Sequence, residues 1–186
     1  MYPTAARSVT LYEGLHRIDE DLASEARSRG CAHCGGPLDH APWLRKPRGC
    51  ILPEAMCWRM GLCCRVCRKR VLPPSTLFWG RKVYWGGVVL VCVVTRQRRV
   101  VGSAASALRK LFGVSFETLR RWIRMFAVDV PTSTRWKLLR GRVPAEVRDD
   151  GLPDQLLAVF DRLHGPGEAA LTALLSCWAG RGFGAS

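Results

Sequence analysis

The sequence predicts a mainly α-helical fold with a small β module held together by a metal. Two Cys-x-x-Cys pairs frame a stretch rich in Cys, Gly and Pro, where no helical periodicity is visible. Elsewhere, apolar residues recur at three- and four-residue spacing, which indicates amphipathic helices. The 186 residues are enough for one domain or two small ones.

Four segments follow from these patterns. The first, "YEGLHRIDEDLASEARSRG" and its flanks, is predicted to be a helical lead that stops at Gly30. The cysteine-rich module ends at "LPPS". Pro131 is predicted to break the chain after the central helices, and "GPG" separates two amphipathic segments of the tail, which indicates a helical hairpin. The expected ranges are 1–30, 31–75, 76–128 and 131–186.

The charge is large and unevenly distributed. The formal net charge is +14. Between Arg45 and Arg142 there are 22 Lys and Arg against three acidic residues, whereas the rest of the chain holds 7 basic and 12 acidic residues. Such a basic middle suggests a polyanionic partner such as a nucleic acid.

The four paired cysteines are Cys31 and Cys34 in "CAHCGG" and Cys64 and Cys67 in "CRVC". A two-residue gap lets one tight turn direct both thiolates at one ion, and four thiolates complete a tetrahedral, structural Zn²⁺ site with no position left for water. The sequence therefore predicts a zinc ribbon. A catalytic zinc would need an open position and a nearby base, which the cluster does not offer.

Other ligand sets remain open at this stage. Cys63 adjoins Cys64, and on a β-strand it would point to the opposite face and pack. The competing ligands are Cys50, Cys57, His33 and His40. Cys92 and Cys177 lie in apolar runs and are expected to be small core residues.

Residues 83–94, "VYWGGVVLVCVV", form the longest apolar run. Twelve residues are too few to span a bilayer, so a buried element is predicted. The β-branched residues favour a strand and the length favours a helix, and periodicity does not decide between them because every position is apolar or glycine.

The segment "SAASALRKLFGVSFETLRRWIRMF" predicts two helices joined at Gly113. Ser115 is expected to cap the second helix, whose apolar positions include Leu119 and Trp122. The opposite face and leading end carry Ser115, Phe116, Glu117, Arg120, Arg121 and Arg124. Arginines on such a face can contact phosphate or guanine in a major groove.

Four further cations lie on or beside the second cysteine turn, namely Arg65, Arg68, Lys69 and Arg70. A rigid metal-bound turn would hold them against phosphates. The alternative is that they are a solvated surface loop.

The helix pair resembles the helix-turn-helix of bacterial regulators and transposase-type proteins, in "LRKLFGVSFETLRRW". The wider pattern, from "CCRVCRKRVLPPSTLFWGRKVYWGGVVLV" to "RWKLLRGRVPAEV", resembles bacterial zinc-ribbon plus helix-turn-helix proteins that look like the DNA-recognition parts of insertion-sequence transposases. The resemblance covers roughly residues 31–165. It implies a three-helix unit whose first helix is the apolar run, and duplex DNA as the partner.

The resulting expectation is a zinc-stabilised DNA-binding protein, not an enzyme, with a small zinc ribbon, a three-helix helix-turn-helix unit and a C-terminal helical hairpin. It would act as a transposition-associated factor or a transcriptional regulator, with a homodimer and a transposition protein as candidate partners. The start, "MYPTAARSVTLYEG", lacks a secretory apolar core, so a cytoplasmic, nucleoid-associated protein with reduced thiols is expected.

Two alternatives compete with this function. An RNA-binding or ribosome-associated ribbon would stack bases on Trp58, Trp79, Tyr84 and Trp85, although packing of the ribbon on the helices is favoured. A metal-dependent nuclease or transposase needs clustered carboxylates, and the tail offers Asp149, Asp150, Asp154, Asp161 and Glu168. The apolar tail residues Leu156, Leu157, Phe160, Leu171, Leu174 and Leu175 either complete the core, which is favoured, or form a dimer surface.

Overall fold

The computed structural model describes residues 2–79, 84–98 and 103–180, and it is mainly helical with a small antiparallel sheet. This confirms the predicted mixture of helices and a small β module. Among the described residues, no helix is both long and apolar enough to cross a membrane.

The N-terminal lead is helical, as predicted. A short helix α1 (Tyr2–Ala5) precedes α2 (Val9–Arg29), whose apolar face packs into the protein. The helix ends at Gly30, which has a φ of 76° and donates its amide to the Arg27 carbonyl. A residue without Cβ adopts this left-handed conformation most easily, so the glycine releases the chain towards the first cysteine.

Two small antiparallel sheets form the β module. One has the strand order β1 (Leu38–His40), β4 (Leu62–Cys64), β5 (Arg70–Val71), and the other pairs β2 (Trp43–Leu44) with β3 (Trp58–Arg59). Leu38 lies opposite Cys64 in the register of the first sheet. A small separate core of Ala26, Cys31, Leu38, Leu62 and Cys64 lies beneath that sheet.

The central apolar run is a helix over its described part. Helix α3 (Gly86–Arg98) is buried at every position from Gly86 to Val94, and the expectation that the run begins at Val83 concerns a residue outside the described ones. It packs against α1, against the tail helices α8 (Asp154–His164) and α9 (Glu168–Trp178), and against the helices α4 (Ser103–Phe112) and α5 (Phe116–Arg124). Because its neighbours surround it, the amphipathic pattern that identifies a surface helix is absent.

Helices α4 and α5 are joined at Gly113, whose φ is 60°. Helix α5 continues through a π-helical turn (Met125–Asp129) into α6 (Val130–Thr132), and the helical path then ends at Ser133, whose backbone is extended, before α7 (Thr134–Arg140). The break expected at Pro131 therefore lies two residues later, at Ser133. The π-helical turn ends two residues before Pro131, which has no amide hydrogen to donate to a helical hydrogen bond.

The tail forms the predicted helical hairpin from α8 (Asp154–His164) and α9 (Glu168–Trp178), preceded by a 3₁₀ turn (Asp149–Gly151). Its six predicted apolar residues all belong to the main core, which extends from Tyr2 to Trp178. Each of the six is at most 2% exposed, so these side chains complete the fold and are not free to form a dimer surface.

Candidate metal centre and nucleic-acid interface

The structure brings together the sulfurs of Cys31, Cys34, Cys64 and Cys67, which all lie within 4.8 Å of one another. The Sγ atoms of Cys31 and Cys67 are 3.7 Å apart, and those of Cys34 and Cys64 are 3.4 Å apart. Four thiolates at about 2.3 Å from a central zinc would be separated by roughly 3.8 Å. The cluster is therefore compatible with a tetrahedral metal site.

The backbone of these turns favours the thiolate form, which binds metals, at two of the four cysteines. Amides of His33 and Cys34 lower the pKa of Cys31, and the amide of Cys67, with the Cys34 thiol and the Val66 amide, lowers the pKa of Cys64 to about 6. At Cys67 the Lys69 amide acts in the same direction, but burial and the neighbouring sulfurs raise the pKa to about 12. The Cys67 amide is 3.4 Å from the Cys64 sulfur. An amide hydrogen stabilises negative charge on sulfur, so the backbone itself prepares these two ligands.

Glycine allows the first turn to close beside the second. A Cβ on Gly36 would lie 3.2 Å from the Cys64 sulfur and 2.8 Å from a methyl group of Val66, so a side chain there would force the two turns apart. Gly36 also accepts a hydrogen bond from the Cys31 amide at 2.9 Å.

The alternative ligands lie elsewhere. Cys63 is directed to the carbonyls of Cys64 and Arg68, as expected for the opposite face of strand β4. Cys50 and Cys57 pack against the main core, and burial raises the pKa of Cys50 to about 11. His33 lies beside Lys69, and His40 is exposed at the end of β1.

The two cysteines in apolar runs, Cys92 and Cys177, are at most 1% exposed in the main core. Burial raises the pKa of Cys92 to about 12 and that of Cys177 to about 11. Both remain neutral thiols at physiological pH and serve as small apolar residues.

The cations on the second cysteine turn are all exposed, but two of them contact other side chains. Arg65 makes a bidentate ion pair with Asp39, with N–O distances of 2.7 and 3.2 Å. Lys69 Nζ lies 2.9 Å from His33 Nε2, on the other cysteine turn. Arg68 adopts a φ of 61°, which is uncommon for a residue with a side chain. Two of the four cations therefore have side-chain partners on this surface.

Helix α5, the predicted DNA-recognition helix, is anchored by its buried face. Leu119 and Trp122 are buried, and the Trp122 ring meets the Tyr84 ring edge-on at a centroid distance of 5.0 Å. The Tyr84 hydroxyl donates to the Gly113 carbonyl at 3.3 Å, which ties the turn to the same contact. Ser115 caps the helix by accepting the Thr118 amide at 3.2 Å, as predicted.

The opposite face of α5 is basic and exposed. Arg120, Arg121 and Arg124 all reach solvent, and Phe116 is 49% exposed at the leading end. Arg120 lies over the Phe116 ring at 5.9 Å and pairs with Glu117 at 3.4 Å. These contacts hold one arginine along the leading turn of the helix, while Ser115 is committed to the cap.

The tail carboxylates are engaged by other side chains. Asp149 accepts the indole hydrogen of Trp136 at 2.8 Å, and Asp150 makes a bidentate pair with Arg148. Arg98 pairs with Asp154 and lies 3.8 Å from Asp161, which also accepts a hydrogen bond from the Tyr2 hydroxyl. Among residues 2–79, 84–98 and 103–180, the four cysteines are the only close group of metal-binding side chains.

Three polar residues are buried or half-buried although no pattern in the local sequence predicts their burial. Asp19 is 1% exposed and accepts hydrogen bonds from Ser75 and Thr76. In the sequence it is one of several acidic residues of its helix, and nothing distinguishes it from the exposed ones. Arg59 is 7% exposed, and Arg135 is half-buried near the C-terminal end of α9. Their burial depends on contacts between segments far apart in the chain, which a local pattern does not report.

Comparisons with known proteins place the chain in no family: no family model, no curated protein and no solved structure matches it.

Proposed function

We propose that the protein binds duplex DNA, with a structural Zn²⁺ at the four-cysteine cluster and with α3, α4 and α5 acting as a three-helix helix-turn-helix unit. The observation that carries the proposal is the division of α5 into a buried aromatic back and an exposed face of three arginines. A helix held in this way can enter the major groove, where guanidinium groups contact phosphates and guanine.

The zinc assignment rests on the donor set. Four thiolates without a carboxylate or an open position suit a structural zinc, and the amides at Cys31 and Cys64 favour deprotonation. The ion would hold the two cysteine turns together and keep Arg68, Lys69 and Arg70 near one another as phosphate contacts. The role of the metal is therefore structural.

The metal is tested by measuring the zinc content of the purified protein and of two neighbouring cysteine variants. We expect one zinc per chain in the native protein and in Cys63→Ser, because the Cys63 sulfur faces away from the cluster. Cys64→Ser removes a ligand and is expected to lose the zinc. Equal zinc contents in Cys63→Ser and Cys64→Ser would contradict the assignment.

The DNA interface is tested by titrating a labelled duplex at several salt concentrations. Replacing Arg120, Arg121 and Arg124 by alanine should weaken binding and reduce the slope of log K against log salt by about 0.9 for each phosphate that is no longer neutralised. The matched control replaces Arg17, Arg29 and Arg162, which are exposed on α2 and α8 and remove the same charge. An equal weakening in both variants would indicate nonspecific attraction instead of an interface on α5.

The RNA-binding alternative loses most of its stacking surface. Tyr84 and Trp85 are at most 7% exposed, and Trp79 packs between the rings of Phe126 and Trp178. Trp58 is the exposed member of that predicted set, at 38%. A titration with single-stranded RNA beside duplex DNA distinguishes the two functions, and preferential binding of RNA would overturn the proposal.

The wider interpretation is that the protein is a transposition-associated factor or a transcriptional regulator. It rests on the basic surface, the predicted zinc and the resemblance of the helix pair to helix-turn-helix proteins. Selection of bound duplexes from a random library would provide a recognition sequence. Two spaced half-sites in that sequence would indicate a dimer on DNA, and a single short site would indicate a monomer.

A further inference from the structure

A pocket of about 440 Å³ lies where the β module, the central helices and the tail meet. The β module and the segment after it contribute Arg59, Pro74, Ser75, Phe78 and Trp79, while α7 and the end of α9 contribute Arg135 and Trp178. The remaining wall consists of Met125, Asp129, Val130 and Ser133. This volume and aromatic lining are typical of small-molecule sites.

The pocket wall includes the π-helical turn Met125–Asp129. Such turns interrupt the regular hydrogen bonding of a helix and occur frequently at functional sites. Here the turn directly follows α5 and presents Met125 and Asp129 to the pocket. The pocket is therefore separate from the exposed arginine face of that helix.

Two guanidinium groups lie in this apolar setting. Arg59 donates to the carbonyls of Met60 and Pro73, and Arg135 donates to the Ala179 carbonyl at 3.0 Å. Among the ion pairs formed between described residues, none involves either arginine. Burial lowers the pKa of both, because their charge is poorly solvated. The charge of Asp19 acts against this shift at Arg59. An anion in the pocket would compensate the charge of Arg135.

Aromatic rings line the same pocket. The Trp79 ring packs against the Trp178 ring at a centroid distance of 5.6 Å, and Phe78 is a third aromatic residue of the lining. These rings offer an apolar surface to a planar ligand.

We propose that this pocket binds a small aromatic monocarboxylate. The rings of Phe78, Trp79 and Trp178 would hold its planar body, and Arg59 and Arg135 would bind its carboxylate. Asp129 is the one acidic residue of the lining, and the charge of Asp19 also acts on Arg59. The pocket therefore holds little excess positive charge, which favours a monoanion over a doubly charged phosphate ester.

The test uses the full-length protein as purified and calorimetric titration with benzoate, 2-naphthoate and indole-3-acetate. We expect saturable one-to-one binding of at least one of them, and about tenfold weaker binding of its neutral carboxamide. No saturable binding of any of the three, or equal binding of the carboxamide, would overturn the proposal. Adenosine 5′-monophosphate serves as a comparison, and tighter binding of this phosphate would overturn the monocarboxylate assignment.

Two variants locate the site. Arg135→Gln should weaken carboxylate binding about tenfold, whereas Lys137→Gln, an exposed neighbour on the same helix, should leave it within about twofold. An equal effect of both variants would contradict the location. Asp129→Asn removes the acidic charge of the lining, so it should strengthen carboxylate binding even if Arg135→Gln fails to fold. Weaker or unchanged binding by Asp129→Asn would contradict the location.

This pocket does not depend on the proposed DNA binding. A titration without DNA measures it directly, so failure of the carboxylate site would leave the interface on α5 standing, and the reverse also holds.

Discussion

At the residue scale, the buried carboxylate of Asp19 connects the first long helix to the end of the β module. It accepts the amide of Thr76 at 2.6 Å and the hydroxyls of Ser75 and Thr76. Burial raises the pKa of Asp19 above its ordinary value of 3.8, although these hydrogen bonds and the charge of Arg59 act to lower it. Desolvation thus outweighs the local polar contacts.

This shift predicts how Asp19 affects stability as the pH changes. Because the folded protein holds this proton more tightly than the unfolded chain, its contribution is largest below pH 3.8 and is lost as the pH rises through the raised pKa. We expect the free energy of unfolding of the native protein, minus that of Asp19→Asn, to fall over that range. Denaturant unfolding at successive pH values measures this difference.

The matched control for this experiment is Asp21→Asn, which removes an exposed carboxylate from the same helix. Protonation of the four clustered cysteines at low pH affects all three proteins alike and cancels in the differences. A difference that rises with pH for Asp19→Asn would mean that the hydrogen bonds of Ser75 and Thr76 outweigh burial.

At the element scale, α5 depends on its first turn. The Ser115 hydroxyl accepts the Thr118 amide, and Thr118 in turn accepts a hydrogen bond from Arg121 at 3.3 Å. The cap therefore stabilises the end of the helix that would approach DNA. Because α5 is only nine residues long, most of its stability comes from the contacts of Leu119 and Trp122 and from this cap.

Removal of the cap should be measurable. Ser115→Ala is expected to destabilise the protein by about 1 kcal/mol in denaturant unfolding, because one amide at the start of α5 loses its partner. Ser115→Thr keeps a hydroxyl acceptor and should lose less. If alanine and threonine were equivalent, the cap would contribute nothing to the stability of this helix.

At the scale of the whole molecule, the protein has two hydrophobic cores of very different size. The stability of the two cores is expected to depend on a bound metal to different degrees. The small one contains Cys31 and Cys64 themselves, and it is formed largely by residues of the β module. The large one runs from Tyr2 to Trp178 and contains none of the four clustered cysteines. A structural metal is therefore expected to support the β module far more than the helical body.

Removal of the proposed zinc with a chelator should unfold the β module while the helices persist. We expect amide hydrogens of β1, β4 and β5 to lose protection from exchange, whereas those of α3 retain it. Far-ultraviolet circular dichroism should keep most of its helical signal. Simultaneous loss of protection in α3 would show that the two cores unfold as one unit.

The local sequence was sufficient to predict much of the fold and of the metal cluster. The two-residue gaps identified the four cysteines that lie together, and alternation along a short strand placed Cys63 on the other face. The helix pair, the cap at Ser115 and the tail hairpin followed from three- and four-residue periodicity and glycine stops. These features depend on neighbours in the chain, where backbone geometry ties spacing to direction.

Other features were decided by packing between distant segments. The apolar run gave no periodicity, and it became α3 because helices from both ends of the chain enclose it. A break was expected at Pro131, yet a π-helical turn carries the helical path through it to Thr132, and the break lies at Ser133. The pocket joins Arg59 to Arg135, 76 positions apart, because contacts between separate elements create a cavity that spacing along the chain does not encode.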